Sequence, residues 1–220
     1  MKKNLTELVF ILDRSGSMGG LESDTIGGFN SLIAKQQKEE GEAIVSTVLF
    51  DDTCEVIHDR EDIENVSKLT EKEYYVRGCT ALLDAVGGAI HHIGNVHKYA
   101  RREDRPEKTL FVITTDGLEN ASKRYSFKDV KRMIERQKEK YGWEFLFLGA
   151  NIDAIEVAGQ MGISEGRAAN YHADCAGTAL NYKVLERTIS RVRSCESSAL
   201  GSLFDEGEWK EDIEEDFESR

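Results

Sequence analysis

The chain of 220 residues contains one proline, Pro106, and no stretch rich in glycine, serine or proline that would link two domains. No apolar run approaches the ~18 residues that a membrane-spanning helix needs. The basic N-terminal segment has only a short apolar run, which stops at Asp13, so it is not typical of a signal peptide. These absences predict a single main domain outside the membrane, which we assign to residues 1–195.

Cysteine is also sparse, and its spacing is wide. The four cysteines form no Cys-x-x-Cys pair; they are Cys54, Cys79, Cys175 and Cys195. This spacing is typical of reduced thiols rather than of a disulfide framework or a zinc site. We therefore expect a cytoplasmic protein.

The common signatures of catalysis are missing. There is no Gly-Lys-Ser/Thr phosphate loop, "GSMGG" is not a dinucleotide fingerprint, and "RSGSM" is not the Gly-x-Ser-x-Gly of a nucleophilic serine. His91 and His92 are adjacent on a predicted helix and face different ways, which disfavours a catalytic or metal-binding pair. The sequence therefore indicates a protein that is not an enzyme.

The net charge is −12, and residues 205–220, with nine acids and two bases, contribute −7 of it. Nucleic-acid binding relies on clustered Lys and Arg, so this balance argues against a nucleic-acid partner. The most basic stretch, 123–140, has eight bases and three acids. We interpret it as the solvated face of a helix.

Strand and helix patterns alternate along the chain. We predict buried strands at 7–13, 43–52, 108–117 and 143–151, a short strand at 167–173, and helices at 21–40, from about 80 to 100, 126–140, 152–162 and 174–194. Residues 53–60 follow two aspartates and should form an antiparallel hairpin with the preceding strand. This order predicts an α/β fold, a Rossmann-like, doubly wound, mostly parallel sheet flanked by helices, with one antiparallel edge strand.

The first predicted strand ends in "DRSGSM", where Asp13, Ser15 and Ser17 alternate among glycines. Alternate residues of an extended loop point the same way, so the three oxygens can converge. Oxygen ligands with little charge suit Mg²⁺ or Mn²⁺, whereas zinc prefers Cys and His. This loop is therefore a candidate metal site.

Two further loops contribute polar residues at strand ends. Thr80 of "GCTALLDA" begins a helix, and Asp116 of "ITTDG" ends the most strand-like segment. Taken singly, Thr80 fits an ordinary helix cap and Asp116 an ordinary turn. In doubly wound sheets, however, ligands bind at the carboxyl ends of the strands, where such loops gather.

Taken together and in this order, the three motifs resemble the von Willebrand factor type A domain over about residues 6–194. In that family the matching positions form a metal-ion-dependent adhesion site. The resemblance implies that Ser15, Ser17 and Thr80 bind the metal through hydroxyls, and that Asp13 and Asp116 act directly or through water. It also implies an open metal position that is filled by a carboxylate of another protein.

The expected function is therefore a metal-dependent protein-binding module that uses Mg²⁺ or Mn²⁺ and a partner's Asp or Glu. Neutral hydroxyls leave the cation's charge uncompensated, so it can attract such a carboxylate. Asp51, Asp52 and Asp84 lie near the three motifs. They either support the site or serve as ordinary turn and helix-terminus residues.

Two alternatives to this function are open. A haloacid-dehalogenase-type phosphatase also begins with a strand that ends in a Mg²⁺-binding Asp, but it carries a second Asp two residues later as general acid. That position is Ser15 here, which removes the proton donor. The other alternative is a metal-free scaffold with a vestigial site, and the five matching side chains count against it.

The acidic segment 196–220 has a composition that favours a disordered, solubilising end. Aromatic and aliphatic residues nevertheless interleave with its acids; they are Leu203, Phe204, Trp209, Ile213 and Phe217. A second interpretation is that one of its carboxylates caps the metal site of its own chain or of a neighbouring molecule.

Overall fold

The structure is a computed structural model that describes residues 1–220. Its centre is a six-stranded sheet in the order β3-β2-β1-β4-β5-β6. The strands are β1 (Lys2–Asp13), β2 (Glu42–Phe50), β3 (Cys54–Asp62), β4 (Pro106–Thr115), β5 (Glu144–Gly149) and β6 (Ala168–Asn170). Every neighbouring pair is parallel except β2 and β3, which form an antiparallel hairpin at one edge. The predicted fold class is confirmed.

Six α-helices connect and cover the strands. They are α1 (Glu22–Gln36), α2 (Leu82–Tyr99), α3 (Phe127–Tyr141), α4 (Ala154–Gln160), α5 (Cys175–Ser194) and α6 (Glu211–Ser219). Helix α3 begins with a capping box, in which Ser126 and Asp129 each accept a backbone N–H of the other. None of the helices is both long and apolar enough to span a bilayer.

The sheet separates two apolar cores, and β1 shows how. Leu8, Phe10 and Leu12 face the core that α1, α5 and α6 cover, whereas Val9 and Ile11 face the core under α2, α3 and α4. A strand that is buried on both faces is apolar at successive positions, which explains the unbroken run in β1.

Residues 196–220 are ordered, unlike the disordered end that their composition favours. Trp209 is 2% exposed, and its indole N–H donates to the carbonyl of Gly166 at 2.7 Å. Phe204 and Ile213 are buried in the same core as α1 and α5. The interleaved apolar residues therefore anchor this segment to the core. The excess of acidic residues does not by itself indicate this packing.

A close contact between α1 and α5 makes Gly28 sensitive to substitution. A β-carbon at Gly28 would lie 2.2 Å from the ring of Tyr182, whereas one at the neighbouring Gly27 would touch nothing within 4 Å. We expect Gly28→Ala to lower the free energy of unfolding by about 1–3 kcal/mol, because the helices must separate. Gly27→Ala is the matched control and should raise stability by about 0.5–1 kcal/mol. Urea unfolding of both variants checks this, and equal effects would contradict it.

A buried histidine in β3 predicts a pH dependence of stability. The His58 ring is stacked on Phe29, and its nitrogens lie 3.0 Å from Thr47 Oγ1 and 3.1 Å from Ser67 Oγ. Burial lowers the pKa of His58 below its ordinary value of 6.5, so the folded protein favours the neutral ring. This contribution to stability is present above pH 6.5 and is lost as the pH falls below that value.

The test compares the wild type with His58→Asn. Urea unfolding at about pH 7.5 and about pH 5 should show a steeper loss of stability in the wild type than in the variant. Identical pH slopes would show that His58 is not the group responsible.

Candidate metal centre at the carboxyl edge of the sheet

Three loops meet at the carboxyl edge of the sheet, beside the neighbouring strands β1 and β4. The first loop (13–18) follows β1, the second (77–81) precedes α2, and the third (115–121) follows β4. They bring three hydroxyls together: Thr80 Oγ1 lies 3.0 Å from Ser15 Oγ, which lies 3.1 Å from Ser17 Oγ. The three hydroxyls that were predicted from separate motifs are therefore one cluster.

The two predicted carboxylates lie beside this cluster. Asp13 accepts hydrogen bonds from the backbone N–H of Ser15 at 2.7 Å and from the hydroxyl of Thr115 at 2.6 Å. The backbone N–H of Asp116 donates at 3.4 Å to Asp13 Oδ2, the oxygen that also accepts the Thr115 hydroxyl. Asp116 itself accepts a hydrogen bond from the side-chain amide of Asn151. All five predicted residues are thus in one place.

The pKa values of both carboxyls are raised, chiefly by burial. Burial raises the pKa of Asp13, and its hydrogen bonds offset only part of that effect. Burial also raises the pKa of Asp116, and the neighbouring charge of Asp13 adds to the increase. No basic side chain is among the groups that act on either pKa. Two buried acids without a base are costly unless a cation or a proton neutralises them.

The donor set fits a hard divalent cation. A β-carbon at Gly117 would lie 3.1 Å from Ser17 Oγ and 3.6 Å from Thr80 Oγ1, so the absence of a side chain keeps the cluster open on that side. No group of three or more His, Cys, Asp or Glu residues is placed to hold a metal anywhere in the chain. Any cation here would therefore rely on hydroxyl oxygens, which suit Mg²⁺ and Mn²⁺.

Arg14 supports the first loop, and sequence analysis missed it. This side chain is fully buried, and its Nε donates to Asp51 Oδ2 at 2.9 Å while Nη1 donates to the carbonyl of Glu73 at 2.9 Å. Arg77 donates to the same oxygen of Asp51 at 2.8 Å. Because its polar neighbours come from distant segments, no local pattern marks Arg14 as structural.

Asp51 connects the first two loops to the β2–β3 hairpin. Burial raises the pKa of its carboxyl, but hydrogen bonds from Arg77, Thr53 and Arg14 outweigh burial and hold the pKa well below its ordinary value. The backbone carbonyl of Asp51 accepts the N–H of Ala81, next to Thr80. Asp51 therefore supports the loops, which is one of the two roles that the sequence analysis considered for it.

Asp84 likewise supports the site rather than joining it. Its carboxylate accepts three backbone N–H groups, those of Lys123, Arg124 and Tyr125, at 2.8–3.0 Å. Burial raises the pKa of Asp84, yet these three donors bring it below the ordinary value. Asp84 thus holds the segment that follows the third loop, whereas the carboxylate of Asp52 lies beside Gly78.

Three further residues hold the loops in place. Tyr74 donates its hydroxyl to the carbonyl of Asp13 at 2.5 Å, and Asn120 accepts the backbone N–H of Thr80 at 2.9 Å. Asn151, which bonds Asp116, has a φ of 55°. A non-glycine residue in the left-handed region is uncommon, and Asn tolerates it better than most. Its position as the last residue of the predicted strand 143–151 was the available signal.

The acidic C-terminal segment does not reach this site. Five of its carboxylates pair elsewhere: Asp205 with Arg167, Glu208 with Arg191, Asp212 with Arg187, Glu214 with Lys210, and Asp216 with Arg220. None of these partners belongs to the three loops. Capping of the chain's own site by this segment is therefore not seen in the structure.

The remaining candidate residues lie apart from the hydroxyl cluster. His92 pairs with Asp59 of β3 at 2.7 Å, whereas His91 lines a separate cleft between α2 and α3. The four cysteines form no disulfide, and Cys79 is exposed beside Thr80.

The sequence matches no family model and no curated protein. The fold, however, matches solved structures. The vWF domain of the type V pilus tip protein Mfa5 from Porphyromonas gingivalis has a TM-score of 0.63 at 11% identity, covering 86% of this chain and 96% of that one. A von Willebrand factor type A structure from Catenulispora acidiphila has a TM-score of 0.56 at 16% identity, covering 83% and 42%.

Proximal thread matrix protein 1 from the mussel byssus, solved with a zinc-occupied MIDAS motif, has a TM-score of 0.57 at 13% identity. The match covers 84% of this chain, which spans less than half (46%) of the mussel chain. Together with the sheet order, these matches define the class as a doubly wound α/β domain. The chain has the von Willebrand factor type A fold, as its three motifs imply.

Proposed function

We propose that this chain is a metal-dependent protein-binding module that recognises an acidic side chain of a partner protein. Ser15, Ser17 and Thr80 would hold the cation through their hydroxyls, and Asp13 and Asp116 would act directly or through water. A bound divalent cation would supply a Lewis-acidic position for the carboxylate of the partner. Mg²⁺ or Mn²⁺ is the proposed ion, and the reduced thiols suggest a cytoplasmic location.

One observation carries the proposal. Three hydroxyls and two buried carboxylates, neither of which has a basic partner, converge from three loops that are distant in sequence. A structurally similar mussel protein has been solved with a zinc-occupied MIDAS motif, which supports the proposal of a divalent cation. The site is also rigidly held, since Arg14, Asp51 and Tyr74 fix its first loop from behind. Such support keeps ligands in place before the cation and the partner arrive.

Binding is favoured over catalysis for a chemical reason. Ser15 stands where a phosphatase of the haloacid-dehalogenase type has its general acid, and its hydroxyl lies between those of Ser17 and Thr80. A neutral hydroxyl cannot protonate a leaving group as a carboxylic acid can. Hydrolysis of a phosphate ester with Mg²⁺ that disappears in Asp13→Asn would favour the phosphatase instead.

Calorimetric titration of Mg²⁺ and of Mn²⁺ into chelator-treated protein tests the proposal. We expect saturable binding to the wild type and about tenfold weaker binding to Ser17→Ala, which removes one exposed hydroxyl. Ser31→Ala, an exposed serine of α1, is the matched control and should bind as the wild type does. Equal affinities of all three proteins would show that Ser17 does not hold the cation. Absence of binding would favour the metal-free scaffold.

A further inference from the structure

A second surface lies at the opposite edge of the sheet from the three loops. A cleft of about 1060 Å³ opens between the second halves of α2 and α3 and the first residues of β4. Six basic side chains line it: Lys98, Arg102, Arg105, Arg132, Arg136 and Lys140. Glu107 is the one acid in its lining. We call this surface the basic cleft, and its charge is opposite to that of the chain as a whole.

Most of these bases form no salt bridge, although Lys98 and Lys140 lie over the rings of Tyr99 and Tyr141. Arg132 pairs with Asp129 at 3.2 Å, and Arg105 donates to the carbonyl of Ala100 at 3.1 and 3.2 Å. The other four bases of the basic cleft form no salt bridge within the chain; they are Lys98, Arg102, Arg136 and Lys140. Their positive charges are therefore available to an external anion.

The α3 side of the cleft is a stripe of like charge. Arg132, Arg136 and Lys140 recur every four residues, so they lie on one face of the helix and repel one another. An anionic occupant would relieve this repulsion. The segment that its sequence indicates to be a solvated helix face is thus one wall of a concave surface.

The lining of the cleft also contains aromatic side chains among its polar ones. Trp143 is 3% exposed, its ring lies 5.3 Å from that of Phe111, and His97 packs edge-on against it at 5.2 Å. Tyr141 is 46% exposed at the rim, close to Lys140. The surface therefore combines basic walls with a place for an apolar group.

We propose that the basic cleft binds an acidic segment of a partner protein that packs a large apolar side chain against the exposed ring of Tyr141. Exposed ion pairs each contribute little, so the charges by themselves would not hold a ligand, whereas an apolar anchor would. Nucleic acid fits less well, because a net charge of −12 repels a polyanion that extends beyond the cleft. This inference is independent of the proposed metal site.

The test uses fluorescence anisotropy with a labelled Glu-rich peptide that contains a central Trp, measured in EDTA so that no divalent cation contributes. We expect saturable, salt-sensitive binding to the wild-type chain and at least about tenfold weaker binding to Arg136→Glu/Lys140→Glu. The matched control is Lys128→Glu/Lys131→Glu, which makes the same charge change on α3 outside the cleft. It should bind within about twofold of the wild type.

Further measurements identify what binds in the basic cleft. Replacing the peptide's Trp by Ser should weaken binding, and unchanged binding would overturn the anchored mode. No peptide binding, or tighter binding of a single-stranded oligonucleotide of equal charge, would overturn the proposal. So would cleft-dependent self-association of the chain, measured by sedimentation. Arg136→Ala/Lys140→Ala provides a second variant if the charge reversal impairs folding, which circular dichroism would show.

Discussion

Replacing Arg14 by leucine is expected to lower the free energy of unfolding by about 3–5 kcal/mol, because it leaves the buried carboxylate of Asp51 without its buried partner. Both side chains of this pair are 0% exposed. Removing one member of a buried ion pair costs far more than the pair contributes, since the remaining charge stays desolvated. Chemical unfolding monitored by circular dichroism measures the loss.

Arg77→Leu is the control for this prediction. Arg77 bonds the same oxygen of Asp51, but its side chain is 45% exposed, so water can replace much of the interaction. We expect a much smaller loss of stability than for Arg14→Leu. Similar losses in the two variants would show that burial of Arg14 is not what makes it important.

The pH dependence provides a second readout of the same pair. The pKa of Asp51 lies below its ordinary value of 3.8 in the folded protein. Its contribution to stability is therefore present above pH 3.8 and is lost as the pH falls below it. In Arg14→Leu this acid-dependent component should be smaller, because one of the hydrogen bonds that depress the pKa is gone.

Thr80→Val is expected to weaken Mg²⁺ and Mn²⁺ binding about 100-fold, the largest effect that we expect of a single hydroxyl. Thr80 is 4% exposed, and its hydroxyl donates to Ser15 Oγ. The substitution would therefore remove one proposed ligand and also the group that orients a second. Because valine keeps the shape of threonine, stability should change by only about 1 kcal/mol.

Thr178→Val in α5 is a matched control for Thr80→Val. Thr178 is also 4% exposed, and its hydroxyl has no hydrogen-bond partner in the structure. The control should leave cation affinity unchanged and stability unchanged or slightly higher. Titration calorimetry compares the two, and wild-type affinity in Thr80→Val would show that Thr80 does not hold the cation.

Four residues of the candidate metal centre stand at strand ends and Thr80 stands at a helix start, and the resemblance of the three motifs to the von Willebrand factor type A domain allowed all five to be predicted together. Asp13, Ser15 and Ser17 follow an apolar run directly, and Thr80 and Asp116 follow turn and strand signals. In a parallel sheet the carboxyl ends of the strands lie at the same edge. Residues that follow neighbouring strands are therefore close together in space even when they are distant in sequence. The structure shows that these five side chains are neighbours.

The supporting residues could not be predicted in the same way. Arg14 lies between two candidate ligands and resembles an exposed loop residue until the β2–β3 hairpin places Asp51 against it. The basic cleft is a similar case: its bases come from α2, α3 and the segment before β4. These bases form one positively charged surface only after the elements pack together.

For the C-terminal segment, the prediction gave more weight to the acidic composition than to the pattern of apolar residues. Its excess of acids favours disorder, but Trp209 and Ile213 are buried and its carboxylates pair with bases of α5 and neighbouring turns. Local charge counts take no account of bases that lie distant in sequence.

The sequence by itself determined the fold class, the order of the strands and of the first five helices, and the five candidate residues, because apolar periodicity and short motifs are local properties. Only the tertiary structure decided which charges are buried, which are paired and which line a cleft. Those properties depend on contacts between distant segments, and Coulomb and desolvation energies follow spatial distance and burial rather than separation along the chain.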